Sequence, residues 1–300
     1  MKELISQAII NDPAARVGNY KQMVQSFYDI VTDSYRQVWG DSFHFAIFSG
    51  SERFQEAIVA TERMIADEGG FRPGMKILDV GCGVGGPALN IAEYSGAHVT
   101  GVNISNRQIA IARELAATRG LSELTEFVVA DGMNMPFPDE SFDRIYIFEA
   151  GCYMPDKAAF YKECARVMRP GGIFLGFDWM SKEELTAEEE AKYIEPICRY
   201  HALPGLITLG ELGSYLINAG LEVEALDDIA ERGNILRNWE LLDNKILKTD
   251  SGLPNWLIPP VSLIQNYGAY KVLEGARSGA LIVGHWRARK PSVTQEKLSI

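Results

Sequence analysis

The sequence has little cysteine and little histidine, and its positive charges do not cluster. Its four cysteines, Cys82, Cys152, Cys164 and Cys198, stand apart. None forms a C-x-x-C pair, so a zinc site has no ligand framework. Scattered cysteines fit reduced thiols in a cytoplasmic protein. Lys and Arg total 29 against 40 Asp and Glu, giving a net charge of −11 and a pI near 5.0. A chain that grips nucleic acid needs a basic face, so nucleic acid is not an expected partner. The same balance works against docking on anionic lipid. No stretch reaches the roughly 18 apolar residues of a membrane span. The first residues, Met1-Lys2-Glu3-Leu4, lack the apolar core of a signal peptide. The expectation is a soluble, cytoplasmic protein without stable membrane insertion. Internal repeats and low-complexity tracts are also missing, and apolar spacing fades only after Pro291.

Hydrophobic residues make up 47% of the 300, enough for the core of one α/β domain carrying an insertion or cap. Residues 1–75 read as helical, with aromatics spaced by three and four between Tyr20 and Trp39. Gly69-Gly70 and Pro73-Gly74 then break the chain. From 76 to 180 strand and helix alternate. Strands are expected at Lys76–Val80, His98–Val102, Phe127–Ala130, Arg144–Ala150 and Ile173–Asp178. Helices are expected near Pro87–Tyr94, at Asn106–Arg119 and at Lys157–Met168, the last stopped by Arg169-Pro170-Gly171-Gly172. Such alternation implies parallel strands joined by right-handed crossovers. Residues 181–206 look like a helical insertion. A helix at 208–219, a strand at Leu221–Ala225, helices near Ile235–Lys248 and Pro260–Leu273, and a closing strand at Ala280–Trp286 follow.

Gly81, Gly83 and Gly86 satisfy G-x-G-x-x-G between the first strand and the first helix. Glycines in that turn let a ligand lie against backbone N–H groups. Dinucleotide folds share the pattern, and two features argue against a pyrophosphate. Asp79 precedes the first glycine by two residues, where it would repel phosphate, favour a cationic ligand and hold the turn by accepting its N–H groups. Polar residues also end the following strands. Asn103 stands where a ribose-binding side chain belongs, Asp131-Gly132-Met133 where a carboxylate can accept from an adenine amino group, and Glu149 after the fourth strand.

In this arrangement the chain resembles the class I S-adenosylmethionine-dependent methyltransferases. Ile77-Leu78-Asp79-Val80-Gly81-Cys82-Gly83, Ala130-Asp131-Gly132, Met135-Pro136-Phe137 and Phe142-Asp143 match that superfamily in order, well over about residues 70–180 and loosely elsewhere. The resemblance implies an α/β fold, a Rossmann-like doubly wound seven-stranded sheet. An N-terminal helical lid would span 1–70 and a methyltransferase domain 71–300, with a cap at about 181–206 and an excursion at about 230–279. It also implies S-adenosylmethionine as cofactor and S-adenosylhomocysteine as product. Ile104 and Gln108 join Asp79, Gly81, Gly83, Asn103, Asp131, Gly132, Met133 and Glu149 as cofactor residues. One departure is Asn103, where the superfamily usually carries Asp or Glu. An amide still bonds a hydroxyl, without the strength of a charge.

The branch is read from other residues. Phe27-Tyr28-Asp29, Tyr35, Trp39-Gly40 and His44 resemble the N-terminal segment of the sterol 24-C-methyltransferase and cyclopropane-synthase group. Ser105, Gln108 and Ile109 fit it too. Phe148-Glu149-Ala150-Gly151-Cys152-Tyr153-Met154-Pro155-Asp156 looks like that group's Glu-Ala-x-Cys-His-x-Pro-Asp, with Tyr153 in the His position. Bacterial terpenoid C-methyltransferases share the pattern, and some sterol methyltransferases place Asn at the second-strand end. In such proteins the tyrosine of the Tyr-Asp pair lies over the cofactor, a role for Tyr28, which otherwise is a core tyrosine.

The expected reaction is C-methylation of a terpenoid, sterol-like or prenylated small molecule. Methylation of an alkene leaves a carbocation, which needs aromatic faces, a base and exclusion of water. Tyr20, Tyr35, Trp39, Phe43, Tyr153, Trp179 and Tyr200 are aromatic candidates for the acceptor. Glu149, Asp178 and His201 are candidate bases; each carboxylate can instead hold a loop, and His201 can be a surface residue. O- or N-methylation of a natural product, with His201 or His44 as base, is the alternative. A cofactor-binding partner subunit without catalysis is a third reading. His98 and His285 read as structural. The glutamates from Glu183 to Glu190 read as a solvated helix face, and no metal is expected. Self-association through the N-terminal helices is left open.

Overall fold

The computed structural model describes residues 11–238, 240 and 260–292, without the side chains of 260–266. The expected helix near Ile235–Lys248 falls largely outside them, as does the chain after 292. Seven strands form one sheet in the order β3-β2-β1-β4-β5-β7-β6. They are β1 Lys76–Val80, β2 His98–Asn103, β3 Thr125–Val129, β4 Phe142–Phe148, β5 Met168–Ser181, β6 Glu222–Asp228 and β7 Leu281–Arg289. The first five pair in parallel, with Val80 beside Val102 and Asp79 beside Tyr146. Strand β7 inserts antiparallel between β5 and β6.

Side chains alternate across the sheet, so each central strand feeds two cores. Ile77, Tyr146 and Phe148 enter one core with Ile65, Leu89 and Ile109. Leu78, Val80, Ile145 and Ile147 enter the other with Phe160, Leu212 and Trp286. The covering helices on the first face are α3 Phe54–Glu68, α4 Gly86–Ser95, α5 Asn106–Thr118 and α9 Pro260–Ser278; those on the second are α6 Lys157–Val167 and α8 Leu209–Asn218. Burying each large side chain contributes about 2 kcal/mol.

The fifth strand corrects the sequence reading. Arg169-Pro170-Gly171-Gly172 ends α6, yet it is already part of β5 rather than a free turn. Gly171 N–H donates to the Lys290 carbonyl at 2.8 Å, and Lys290 N–H to that of Gly172 at 3.0 Å. The register slips between Phe142 and Arg144 to accommodate this bulge. Long-range pairing thus overrides local turn chemistry.

Two N-terminal helices precede the sheet. Asp12 caps α1, Pro13–Gly18, and Asn19 leads into α2, Tyr20–Trp39. After β5, Ala187–Glu189 opens helical, passes through a π turn at Glu190–Ile194 and continues as α7, Glu195–Tyr200. Arg16, 1% exposed, ties α1 to this cap: it donates to the Leu203 carbonyl at 2.8 Å and forks onto Glu195 at 2.8 and 3.1 Å.

Candidate active site

The carboxyl ends of β1, β2 and β4 converge with the loop after β3 on one cleft, as sheets of this topology require. Its floor is Val80, Gly81, Gly83 and Val102. Gly81 has φ +85, and a Cβ there would stand 2.2 Å from that of Ala150. The turn is not held by Asp79, against the sequence reading. The N–H groups of Gly81 and Cys82 both donate to the Val102 carbonyl, at 2.8 and 3.0 Å. Asp79 instead accepts from the Tyr146 hydroxyl at 2.9 Å, and burial pushes its pKa up to about 7. It is not among the cleft-lining residues.

Asn103, Ile104 and Gln108 form one wall. The Asn103 amide nitrogen donates to Gln108 Oε1 at 2.6 Å and to the Gly83 carbonyl at 3.2 Å, which turns the amide oxygen into the group left to accept a hydroxyl. Ser105 caps α5 and so sets Gln108. Asp131 and Gly132 form the opposite wall. Asp131 accepts from Tyr20 at 2.5 Å, Lys21 at 2.7 Å and its own loop at Met133 N–H, 3.0 Å. Burial works to raise its pKa; Lys21, Tyr20 and the loop N–H outweigh it and hold the carboxyl below its usual range.

Helix α2 crosses the cleft and contributes Tyr20, Val24 and Tyr28, while Phe43 reaches in from the following segment. The Tyr28 hydroxyl donates to that of Tyr153 at 3.0 Å. Glu149 stands at the far end beside Phe148. Its φ of +52 is rare for a side-chain-bearing residue and costs about 1 kcal/mol or more. The carboxylate is fixed by the Phe45 N–H and the Trp179 indole N–H, both at 2.6 Å. Burial raises its pKa to about 7, opposed by the Phe45 N–H, the charge of His44 and the Trp179 N–H.

The cleft thus brings together Tyr20, Tyr28, Gly81, Gly83, Asn103, Ile104, Gln108, Asp131, Gly132, Glu149 and Tyr153 from the sequence reading. Tyr20, expected toward the acceptor, lies on Asp131 instead. Met133 contributes its backbone N–H, its side chain packing in the second core. Trp179 stacks on Phe45 behind Glu149, and Tyr35 meets Phe43 edge-on. Trp39 packs on Phe45 and Phe54, and Tyr200 on Tyr267, away from the cleft lining. Asp178 accepts the Cys152 N–H at 2.9 Å and so braces the loop that follows Glu149. His201 lies edge-on to Trp179, and burial lowers its pKa to about 4. Glu183 and Glu189 accept from Gly210 N–H and from Thr186. Among the described residues no group of three His, Cys, Asp or Glu side chains is placed to hold a metal, and no helix is long and apolar enough to cross a membrane. Sequence reasoning missed Val24, Phe148 and Met154 in the lining and the Phe45 N–H; a backbone donor carries no residue signature.

Comparison with known proteins decides between the folds that share a glycine loop. A family model described as a methyltransferase domain matches residues 78–176. A cycloartenol-C-24-methyltransferase of Arabidopsis thaliana is 36% identical over 244 residues, 81% of this chain and 68% of that protein. The chain belongs to the sterol 24-C-methyltransferase family. A sterol 24-C-methyltransferase of Gibberella zeae is 46% identical over 226 residues, 74% of this chain and 59% of that one. The chain therefore matches less than two thirds of the length of that relative. The structure of a geranyl diphosphate C-methyltransferase from Streptomyces coelicolor, with Mg2+, geranyl diphosphate and S-adenosyl-L-homocysteine, has the same fold, at a TM-score of 0.70 and 15% identity, covering 90% of this chain and 98% of that one. In this family member the glycine cradle, the Asn103 oxygen and the Asp131 carboxylate fit an adenosyl ligand, because each offers the partner that a backbone-apposed chain, a ribose hydroxyl and an exocyclic amine require.

Proposed function

We propose that this chain transfers a methyl group from S-adenosylmethionine to a carbon of an apolar acceptor, a sterol-like or terpenoid alkene, in a reducing cytoplasmic setting supported by four buried, unpaired cysteines. The observation that carries the reading is Glu149, a buried carboxylate on strained backbone that lines the glycine-floored cleft together with the rings of Tyr28, Phe43, Phe148 and Tyr153. The cofactor supplies an electrophilic methyl on a sulfonium. The residues do the rest. Gly81 and Gly83 would admit the cofactor's close approach to backbone, the Asn103 amide oxygen, oriented by Gln108, would accept from a ribose hydroxyl, and Asp131 would accept from the adenine amine. Helix α2 covers the cleft as a lid and excludes water. Aromatic faces stabilise the cation that an alkene becomes on methylation, and Glu149, with its pKa near 7, takes the proton that restores a double bond.

A hydroxyl or amine acceptor has less support. Both ring nitrogens of His44 are engaged, and His201 lies off the cleft lining. The test is incubation with methyl-labelled cofactor and three acceptors: a sterol with a side-chain alkene, an acyclic terpenoid alkene, and the saturated sterol alcohol. Label on carbon in either alkene supports the reading. Label only on the alcohol oxygen overturns it.

A further inference from the structure

The segment from Asp41 to Phe48 runs without regular structure between α3 and the end of β4, and its polar atoms join one buried chain. Glu62 of α3, fully buried, accepts from Ser42 Oγ at 2.6 Å on Oε1 and from Asn90 Nδ2 at 2.7 Å on Oε2. His44, 1% exposed, brings Nε2 to 3.2 Å from the same Oε1. Its Nδ1 lies 2.9 Å from the Phe45 carbonyl oxygen. The N–H of that same Phe45 donates to Glu149.

Both partners of the imidazole are acceptors. A neutral ring has one N–H and one lone pair, so one of its nitrogens would face an oxygen lone pair in a dry interior. With Glu62 as a carboxylate, only the doubly protonated ring satisfies both contacts. Its ring centroid lies 4.6 Å from that of Phe148 and 5.7 Å from that of Phe177, the second edge-on, a favourable setting for a cation.

We propose that His44 is a fixed imidazolium and a positioning residue, which pins Phe45 so that its N–H holds Glu149 and which supplies the buried positive charge that keeps Glu149 ionisable. The charged and titratable groups facing it are Glu62 from α3, Glu149 from the end of β4 and Asp79 from β1. Burial disfavours the charged ring; the Glu62 hydrogen bond and charge, the Phe45 carbonyl and the Glu149 charge outweigh it and raise its pKa. The device holds below that raised pKa. As pH climbs through it, the cation is lost and Glu149 becomes harder to ionise. This deepens the proposed role of Glu149, and its tests do not read methyl transfer.

The first test is nitrogen-15 NMR of histidine-labelled protein with S-adenosylhomocysteine added, the His44 signals assigned by their loss in His44→Gln and in His44→Asn. Two ring nitrogens at imidazolium positions at neutral pH are expected. A neutral-tautomer pattern overturns the proposal. The second is a carbon-13 titration of the Glu149 carboxyl, assigned by Glu149→Gln. Its midpoint should rise by about one pH unit in His44→Gln and equally in His44→Asn, each of which removes the buried cation. An unchanged midpoint in a folded variant of either kind overturns the positioning role.

Discussion

At the scale of the residue, Glu149 and the first glycine dominate. Glu149→Gln keeps the shape but can accept from only one of the Phe45 and Trp179 N–H groups, and it loses the base. Turnover should fall about a hundredfold, while S-adenosylhomocysteine affinity by calorimetry stays within about threefold; equal turnover would move the base elsewhere. Since the carboxylate is the acting form, kcat/KM should rise with pH through about 7. Stability runs the other way. The folded pKa of about 7 exceeds the ordinary 4.5, so this group's contribution is complete below 4.5 and lost as pH rises through 7. Urea midpoints of wild type and Glu149→Gln across that window should converge at the acid end. Gly81→Ala places a Cβ 2.2 Å from Ala150 at a φ of +85, so cofactor-product affinity should drop about a hundredfold. Asp79→Asn should leave affinity nearly unchanged, because the turn's N–H groups go to Val102. A calorimetric result in the reverse order would show that Asp79, not the backbone, builds the turn.

Between residue and whole lies the cover over the cleft. Helix α2 is amphipathic and 20 residues long, and polar contacts add to its buried apolar face: Gln25 donates to the Ile104 carbonyl, and Arg107 of α5 reaches back to Asp29 and Asp33. Its approach is fixed by α1, through the buried Arg16 and its fork onto Glu195 of the cap. Arg16→Met should destabilise the protein by about 2 kcal/mol in urea melts, discounted because Glu195 remains partly exposed. It should also speed product release several-fold in stopped-flow, if α2 acts as a lid. Destabilisation without faster release would make α1 a brace only. The third glycine of the motif belongs here as well. A Cβ at Gly86 would stand 2.1 Å from the Asp41 carbonyl oxygen, so that position serves the passage of the 41–48 segment over α4.

For the molecule as a whole, ligand linkage is the measure. A ligand at a hundred times its Kd adds about 2.7 kcal/mol to the folded state. For a chain of this size that is a rise in Tm of about 4 °C. S-adenosylhomocysteine should produce it in a thermal melt, and NADH should not. A shift with NADH alone would mean that the glycine loop serves a dinucleotide.

Much of this was legible without coordinates. Strand and helix alternation from 76 to 180, the strand β1 at Lys76–Val80 and the cleft residues at strand ends follow from local rules: apolar periodicity, glycine at tight turns and polar side chains where strands stop. Those rules act within a few residues of the chain, so sequence order suffices to read them. What only the tertiary structure decided are the relations across long separations. Val102, not Asp79, holds the glycine turn, because the parallel register sets its carbonyl opposite Gly81 and Cys82. Trp39 packs against Phe45 and Phe54, and Tyr200 against Tyr267, so neither ring lines the cleft. Phe45 enters the site through a backbone N–H, and His44 carries its charge because Glu62 waits 18 residues away on another element. A residue's type fixes what it can donate or accept; the fold alone fixes what stands within 3 Å of it.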